Sequence, residues 1–331
     1  MQWDFDTPHE AMRQIPQGFH REDLQGQTKS DKDFGPLQWV GMKGIQLPVR
    51  FAGPSDVFTG GVVSAMATVD AFVSLDKSDQ RGIHMSRVYS RLQNAFLSVD
   101  AWSLSAIESL GSELLATQQG ASDRFRLQMS LALPVLQQAL VSDGKGWRSY
   151  PLNLQIIGCK DSINVAVETE LLYSSTCPCS AGLARELNYE AFQQRFKDQE
   201  TVATEDVLGF LKSDAALAGT PHAQRSLAEV RFQLASGFED VLAVTAVKIK
   251  GLEQALATPV QTLVKREDEK EFARLNAENL MFCEDAARRL RDYFISTKEV
   301  SAFECKVIHQ ESLHPHDAVA VVTGGEMADF K

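Results

Sequence analysis

The chain has 331 residues, 44% of them hydrophobic and 23% charged, a length and balance that suit one large or two smaller packed units and exclude global disorder. Its formal net charge of −11 argues against nucleic acid or an anionic membrane surface as the main partner. An anionic small molecule is not excluded, because a metal with a few Lys or Arg can reverse the field inside one pocket.

In chain order, residues 1–37 are polar and read as an irregular N-terminal arm. Gln38–Phe51 and Val62–Leu75 have strand character, and Met85–Phe96 and Trp102–Ala116 have helical spacing. Arg124–Pro134 and Leu152–Ile157 read as strands again, and 158–161 as a tight connection. The order then repeats. Ser162–Leu172 and Arg225–Leu234 alternate apolar with polar residues, Val241–Leu256 and Asn279–Phe294 carry apolar stripes at helical spacing, and Ala302–Ile308 alternates once more. Between them, about 181–219 reads as a helical insertion with helices at Glu186–Phe196 and Thr204–Leu211. Strand-strand-helix-helix-strand-strand, written twice, predicts an α+β chain: a first unit over 38–160 and a second over 161–331, each an antiparallel sheet with a helix pair on one face.

The five cysteines are an odd and low count for this length, which fits a reducing compartment better than a disulfide framework. No basic-then-apolar leader is visible at Met1–Asp6 and no run of 18 apolar residues exists, so a cytoplasmic protein is expected.

Sulfur, imidazole and carboxylate are the protein donors that hold zinc-like metals, and several stand in loops or at strand ends here. Cys177 and Cys179 sit in the polar loop Ser174-Ser175-Thr176-Cys177-Pro178-Cys179-Ser180. Both thiols could approach one cation, and spacing alone does not choose between them. His222 lies just before a strand. His314 and His316 flank Pro315, which favours an extended segment with both rings on one side. Glu269, within the run Lys265-Arg266-Glu267-Asp268-Glu269-Lys270, would ordinarily be part of a solvated charge cluster, and Glu284 an acid matched to a helix start.

These words together resemble the type IB GTP cyclohydrolase family. The resemblance is carried by Cys177-Pro178-Cys179-Ser180, His222-Ala223-Gln224-Arg225-Ser226, the 265–270 run, Met281-Phe282-Cys283-Glu284-Asp285 and Gln310-Glu311-Ser312-Leu313-His314-Pro315-His316-Asp317. Val40-Gly41-Met42-Lys43-Gly44-Ile45 and Gly82-Ile83-His84-Met85-Ser86-Arg87 add to it. It runs from about residue 38 to the C-terminus, and its specificity lies in the shared order of the motifs. It implies tandem tunnelling-fold units, a homotetramer, and a divalent transition metal (zinc, manganese or iron) held by Cys177, His222, Glu269 and His314. It also implies Glu284 as the guanine anchor. The long segment between Cys177 and His222 departs from the family's short linker and leaves the ligand words intact.

The implied reaction opens the imidazole ring of GTP with water, expels C8 as formate and yields 7,8-dihydroneopterin triphosphate. Such chemistry needs an activated water and a proton at N7. His316 is the candidate proton carrier, with Cys179 as the alternative. Lys265, Arg266, Arg225 and Arg87 are candidates for the triphosphate, each equally readable as a surface or strand-pairing charge. Two other readings remain at this level. One is a tunnelling-fold enzyme acting on a purine-like or pterin-like ring through a cysteine nucleophile. The other is an assembly protein with a structural metal, which the spread of the donors and the presence of a carboxylate disfavour.

Overall fold

The computed structural model describes residues 33–52, 62–98, 101–235 and 237–329. The N-terminal arm expected over 1–37 lies mostly outside the described residues. Eight strands form one antiparallel sheet in sequence order: β1 (Leu37–Ala52), β2 (Val62–Leu75), β3 (Arg124–Gln138), β4 (Lys145–Cys159), β5 (Ile163–Thr176), β6 (Ala223–Leu234), β7 (Val300–His309) and β8 (Ala318–Gly324).

Two separate sheets were expected, and the chain makes one. After a tight turn β5 folds back on β4, from Gly158↔Ile163 to Leu152↔Thr169, so the two halves share a ladder. β4 also begins earlier than its apolar pattern suggests. Lys145–Ser149 is polar, but it pairs with the end of β3 out to Gln138↔Lys145, and cross-strand pairing overrides local composition.

Helices α1 (Met85–Ser98) and α2 (Leu104–Ala116) cover the first four strands on one face. Ser103 caps α2 by accepting the Ala106 amide. The close fit of α2 on the sheet needs two glycines. A Cβ on Gly111 or on Gly158 would come within 2.2 Å or 2.6 Å of the Phe125 ring, which is wedged between helix and strand. The same face of the second half is covered by α5 (Val241–Leu256) and α7 (Cys283–Ile295). Asp240 caps α5 by accepting the Leu242 and Ala243 amides.

The insertion is helical as expected: α3 (Pro178–Phe196), α4 (Thr204–Leu211) and a short 3-10 turn at Asp214–Ala216. The three phenylalanines Phe192, Phe196 and Phe210 pack α3 against α4. A further helix, α6 (Arg266–Glu278), occupies the stretch expected to be a solvated charge run. Its first turn is acidic, which suits the positive end of the helix dipole. Asp268 is fully buried there, accepting from the Val141, Ser142 and Lys265 amides and the Ser142 hydroxyl. The β3–β4 turn of the first half is thereby tied to the start of α6 in the second.

The uncovered face of the sheet is polar. Glu168 accepts from Asn153 and Gln155 and pairs with Arg231, and Lys306 pairs with Glu229. Asn153, Glu168, Glu229, Arg231 and Lys306 line a concave space of about 880 Å³.

Candidate active site

On the helix-covered face, the middle of the second half is apolar: Leu171, Ala228 and Val307 lie side by side on β5, β6 and β7, all fully buried. Residues two apart share a face, so each further step along these strands adds a rung to the same surface. The next rung is Tyr173, Ser226 and His309. After it come Ser175 and Gln224, and just beyond the last paired residues Cys177 and His222 are joined by a backbone bond. The ladder thus changes from hydrocarbon to hydroxyl and amide to thiol and imidazole as it leaves the core.

The inner polar rungs are buried and satisfied. Tyr173 Oη lies 2.8 Å from His309 Nε2, and Ser175 Oγ lies 2.8 Å from Ser226 Oγ. Gln224 Nε2 donates to Ser175 Oγ at 2.8 Å. Burial pushes the Tyr173 hydroxyl up and moves the His309 ring down to about 4, against the opposing pull of the Glu284 and Asp285 carboxylates. His309 is therefore neutral near pH 7.

The outermost rung is pinned by backbone. The Cys177 amide donates to the His222 carbonyl at 3.3 Å, and the His222 amide donates to Ser180 Oγ at 2.9 Å. Cys177 precedes α3, with Pro178 in the helix's first turn, where proline's missing amide costs no helical bond. Cys177 and His222 are half-buried, whereas Cys179 is exposed. His222 Nδ1 faces Gln224 Oε1 at 3.1 Å and Glu311 Oε2 at 3.8 Å.

Glu284 stands in the first turn of α7, whose approach is fixed by the Met281 amide bonding the Thr176 carbonyl at 3.1 Å. Its own backbone amide and the Cys283 thiol hold the Glu284 carboxyl below the usual glutamate range. Cys283 itself is pushed up to about 11 by burial.

The other expected residues lie further out. Glu269 is exposed in the first turn of α6. His314 and His316 are exposed in the β7–β8 connection with their rings stacked 5.1 Å apart. Lys265 pairs with Asp143 at 2.8 Å, Arg87 donates to the Thr117 carbonyl, and Arg266 and Arg225 are exposed. Of the four expected metal donors, the structure brings Cys177 and His222 onto one rung. Among the described residues, no three His, Cys, Asp or Glu side chains converge closely enough to hold an ion.

Glu311, Tyr173, Ser175, Ser226 and His309 were not expected from the sequence as neighbours of this site. Their signal was present: hydroxyl, amide and imidazole side chains fall on the inward parity of strands whose other inward positions are apolar.

A fissure of about 550 Å³ lies beside the site, between α3 and α6, with Thr176, Arg185 and Phe272 in its wall. Neither it nor the concave polar space contains the Cys177–His222 rung.

Residues 22–320 match the family model described as type I GTP cyclohydrolase folE2. The chain is 42% identical over 288 residues to GTP cyclohydrolase FolE2 of Pseudoalteromonas atlantica, covering 86% of this chain and 90% of that one. It is 39% identical over 305 residues to GTP cyclohydrolase FolE2 of Bdellovibrio bacteriovorus, covering 92% and 96%. Among solved structures, a hyper-thermostable AgUricase mutant superposes with a TM-score of 0.50 at 10% identity, over 88% of this chain and 93% of that one. That likeness concerns the fold alone, which is the tunnelling fold. The chain belongs to the type I GTP cyclohydrolase folE2 family.

Proposed function

We propose that this family member is a metal-dependent GTP cyclohydrolase, converting GTP and water to 7,8-dihydroneopterin triphosphate and formate. The observation that carries the reading is the backbone bond from Cys177 to His222, which sets a thiol-bearing and an imidazole-bearing residue side by side at the open end of a buried polar ladder. The family match favours this reading over a cysteine-nucleophile enzyme or a structural metal protein.

The donor set fits a divalent transition metal such as zinc, manganese or iron. Thiolate, imidazole and carboxylate are suitable ligands, and His222 has its Nδ1 occupied by Gln224, which leaves Nε2 to face a cation. Cys177 and His222 would supply two donors, with Glu269 and His314 the remaining two. When bound, the metal lowers the pKa of water from about 15.7 to about 7 and so provides a nucleophile for C8 near neutral pH.

Glu284 binds the guanine edge. A carboxylate accepts both the N1–H and the adjacent amino group, a pairing that adenine cannot offer. His316 carries the proton to N7, with Cys179 the alternative carrier. Lys265, Arg266 and Arg225 balance the triphosphate.

The active unit is a homotetramer in this reading. Its support is that, among the described residues, β1 and β8 form the edges of the sheet, with Val319 and Val321 exposed on β8. Assembly would bring Glu269, His314 and the cationic residues toward rungs of neighbouring chains. The tandem division near residue 160 belongs to the same reading, since each half supplies four consecutive strands interrupted by its helices. No helix among the described residues is long and apolar enough to cross a membrane, and a working thiol at Cys177 suits the reducing cytoplasm.

Incubation with GTP, following formate release and pterin fluorescence after oxidation, tests the activity. Turnover that disappears in Glu284→Gln, with the fold retained, is expected. No product across several divalent metals would refute the assignment.

A further inference from the structure

The sheet opens between its two halves, and a connection from the second half fills the opening. The β4–β5 ladder runs from Gly158↔Ile163 to Leu152↔Thr169. Beyond that point β4 continues beside β3 as an arm, out to Gln138↔Lys145, while β5 runs on to Thr176. The segment after α5 enters here. The Ser174 amide donates to the Thr258 carbonyl at 2.9 Å, and the Val260 amide donates to the Leu172 carbonyl at 3.2 Å. The arm grips this segment from its other side. Arg148 of β4 donates from one guanidinium nitrogen to the Val260 carbonyl at 3.2 Å and from the other to the Leu172 carbonyl at 3.3 Å. Glu253 of α5 matches its charge at 2.8 Å, and both side chains are 10% exposed. Tyr150 and Gln137 donate to the same carboxylate at 2.6 Å and 2.9 Å. Further along the arm, a Cβ on Gly146 would lie 2.2 Å from Thr262 Oγ1 and 3.3 Å from the Leu263 amide nitrogen. At the tip, Lys265 pairs with Asp143, and Asp268 accepts from the Val141 and Ser142 amides. Glu269 follows at once, its amide donating to the Lys265 carbonyl at 3.1 Å.

We propose that Arg148 is a positioning residue for Glu269: by clamping the α5–α6 connection against the end of β5, it fixes where α6 begins and so where its Glu269 carboxylate stands. This rests on the reading of Glu269 as a metal ligand. A guanidinium suits the task because its planar fork reaches two carbonyls and a carboxylate at once, whereas an ammonium is a single point of charge. Without Arg148 the Leu172 carbonyl keeps its bond from Val260, but the Val260 carbonyl loses the donor that ties it to the arm. The connection is then free to lift from β5, and α6 moves with it.

The test compares the full-length, metal-stripped parent with two clamp variants. Arg148→Met with Glu253→Gln removes both charges together, so that neither is left buried alone. Gly146→Val presses on Thr262 from the arm, so that a folding failure in one variant leaves the other to decide. Each is made with and without Glu269→Gln. Hydrogen exchange read by mass spectrometry reports on α6, and Co2+ titration reports on the site. In each folded clamp variant α6 is expected to lose protection while α1 keeps it, and Co2+ is expected to bind about tenfold more weakly. Added to Glu269→Gln, the clamp changes are expected to cause no further weakening, because they act through that carboxylate. Parental α6 protection in a folded variant would overturn the proposal. Losses of Co2+ affinity that add to the loss from Glu269→Gln would also overturn it, since a general effect on the fold would not depend on that residue. Parental Co2+ affinity in Glu269→Gln alone, with α6 protection lost in the clamp variants, supports the clamp and removes the reading of Glu269 as a ligand.

Discussion

Cys177 and His309 stand at the outer and inner ends of one polar ladder. Cys177 is half-buried at the outer rung, and its side chain is not needed for the backbone bond that joins it to His222. Cys177→Ala is therefore expected to remove at least ~10³-fold of turnover, the scale of losing an activated water, while the melting temperature moves by only a few degrees. Pterin fluorescence and a thermal melt measure both. His309 works from inside. Its ring pKa falls from the ordinary 6.5 to about 4 in the fold, so the unfolded chain takes up a proton that the folded chain refuses. Stability supplied by this group is complete above pH 6.5 and declines as the pH falls toward 4. Urea titrations across that range should show the decline in the parent and a flatter profile in His309→Gln. The outer residues, Cys177 and His222, were legible in the sequence because thiol and imidazole are rare and stand in recognisable words. Tyr173, Ser175, Ser226 and His309 were not, because single polar residues on inward positions gain meaning only when three strands are placed in register. Asp268 was hidden for the opposite reason: in sequence it is one acid among several, and its burial depends on a turn more than a hundred residues away.

Helix and strand elements convert these residues into a fixed site. α6 begins where Asp268 accepts four donors, the nearest being the Ser142 hydroxyl at 2.6 Å, and these donors hold its carboxyl below the usual range. Because Glu269 follows it directly, Asp268→Asn is expected to lower the melting temperature and weaken metal binding about tenfold, read by metal titration of the folded variant. Replacement of one oxygen by an amide nitrogen sets donor against donor, which is why the isosteric change is not neutral. In the first half, the wedge of Phe125 between α2 and β4 makes Gly111→Ala an overpacking change. A loss of about 1–3 kcal/mol in a urea unfolding curve is expected, with little change in turnover per folded molecule. β5, β6, β7 and the two long apolar helices of the second half were legible from periodicity alone, whereas β8 (Ala318–Gly324) was not read. α6 was not, since a highly charged turn carries almost no apolar stripe and its helicity is secured by the dipole and by Asp268.

At the scale of the whole molecule, the expected pair of sheets became one because β4 and β5 pair through their tight turn, a contact that periodicity within each strand cannot announce. The result, among the described residues, is an eight-stranded sheet with one face under helices, a polar concave face, and β1 and β8 at its edges. A single chain leaves Glu269 and His314 apart from the Cys177–His222 rung, so the full site depends on association in this account. If the proposed tetramer forms through β8, Val319→Lys with Val321→Lys should shift the protein toward smaller species in light scattering and reduce turnover in parallel. In the proposed mechanism a metal held at Cys177 and His222 would supply the activated water that opens GTP. The most direct measurement strips the protein of metal, restores a divalent transition metal in steps and follows formate release from GTP in the parent and in His222→Ala. Formate production that rises with metal and saturates near one ion per chain, and is lost in the variant, is predicted. Undiminished turnover in the stripped parent under chelator, or in the variant, would contradict it.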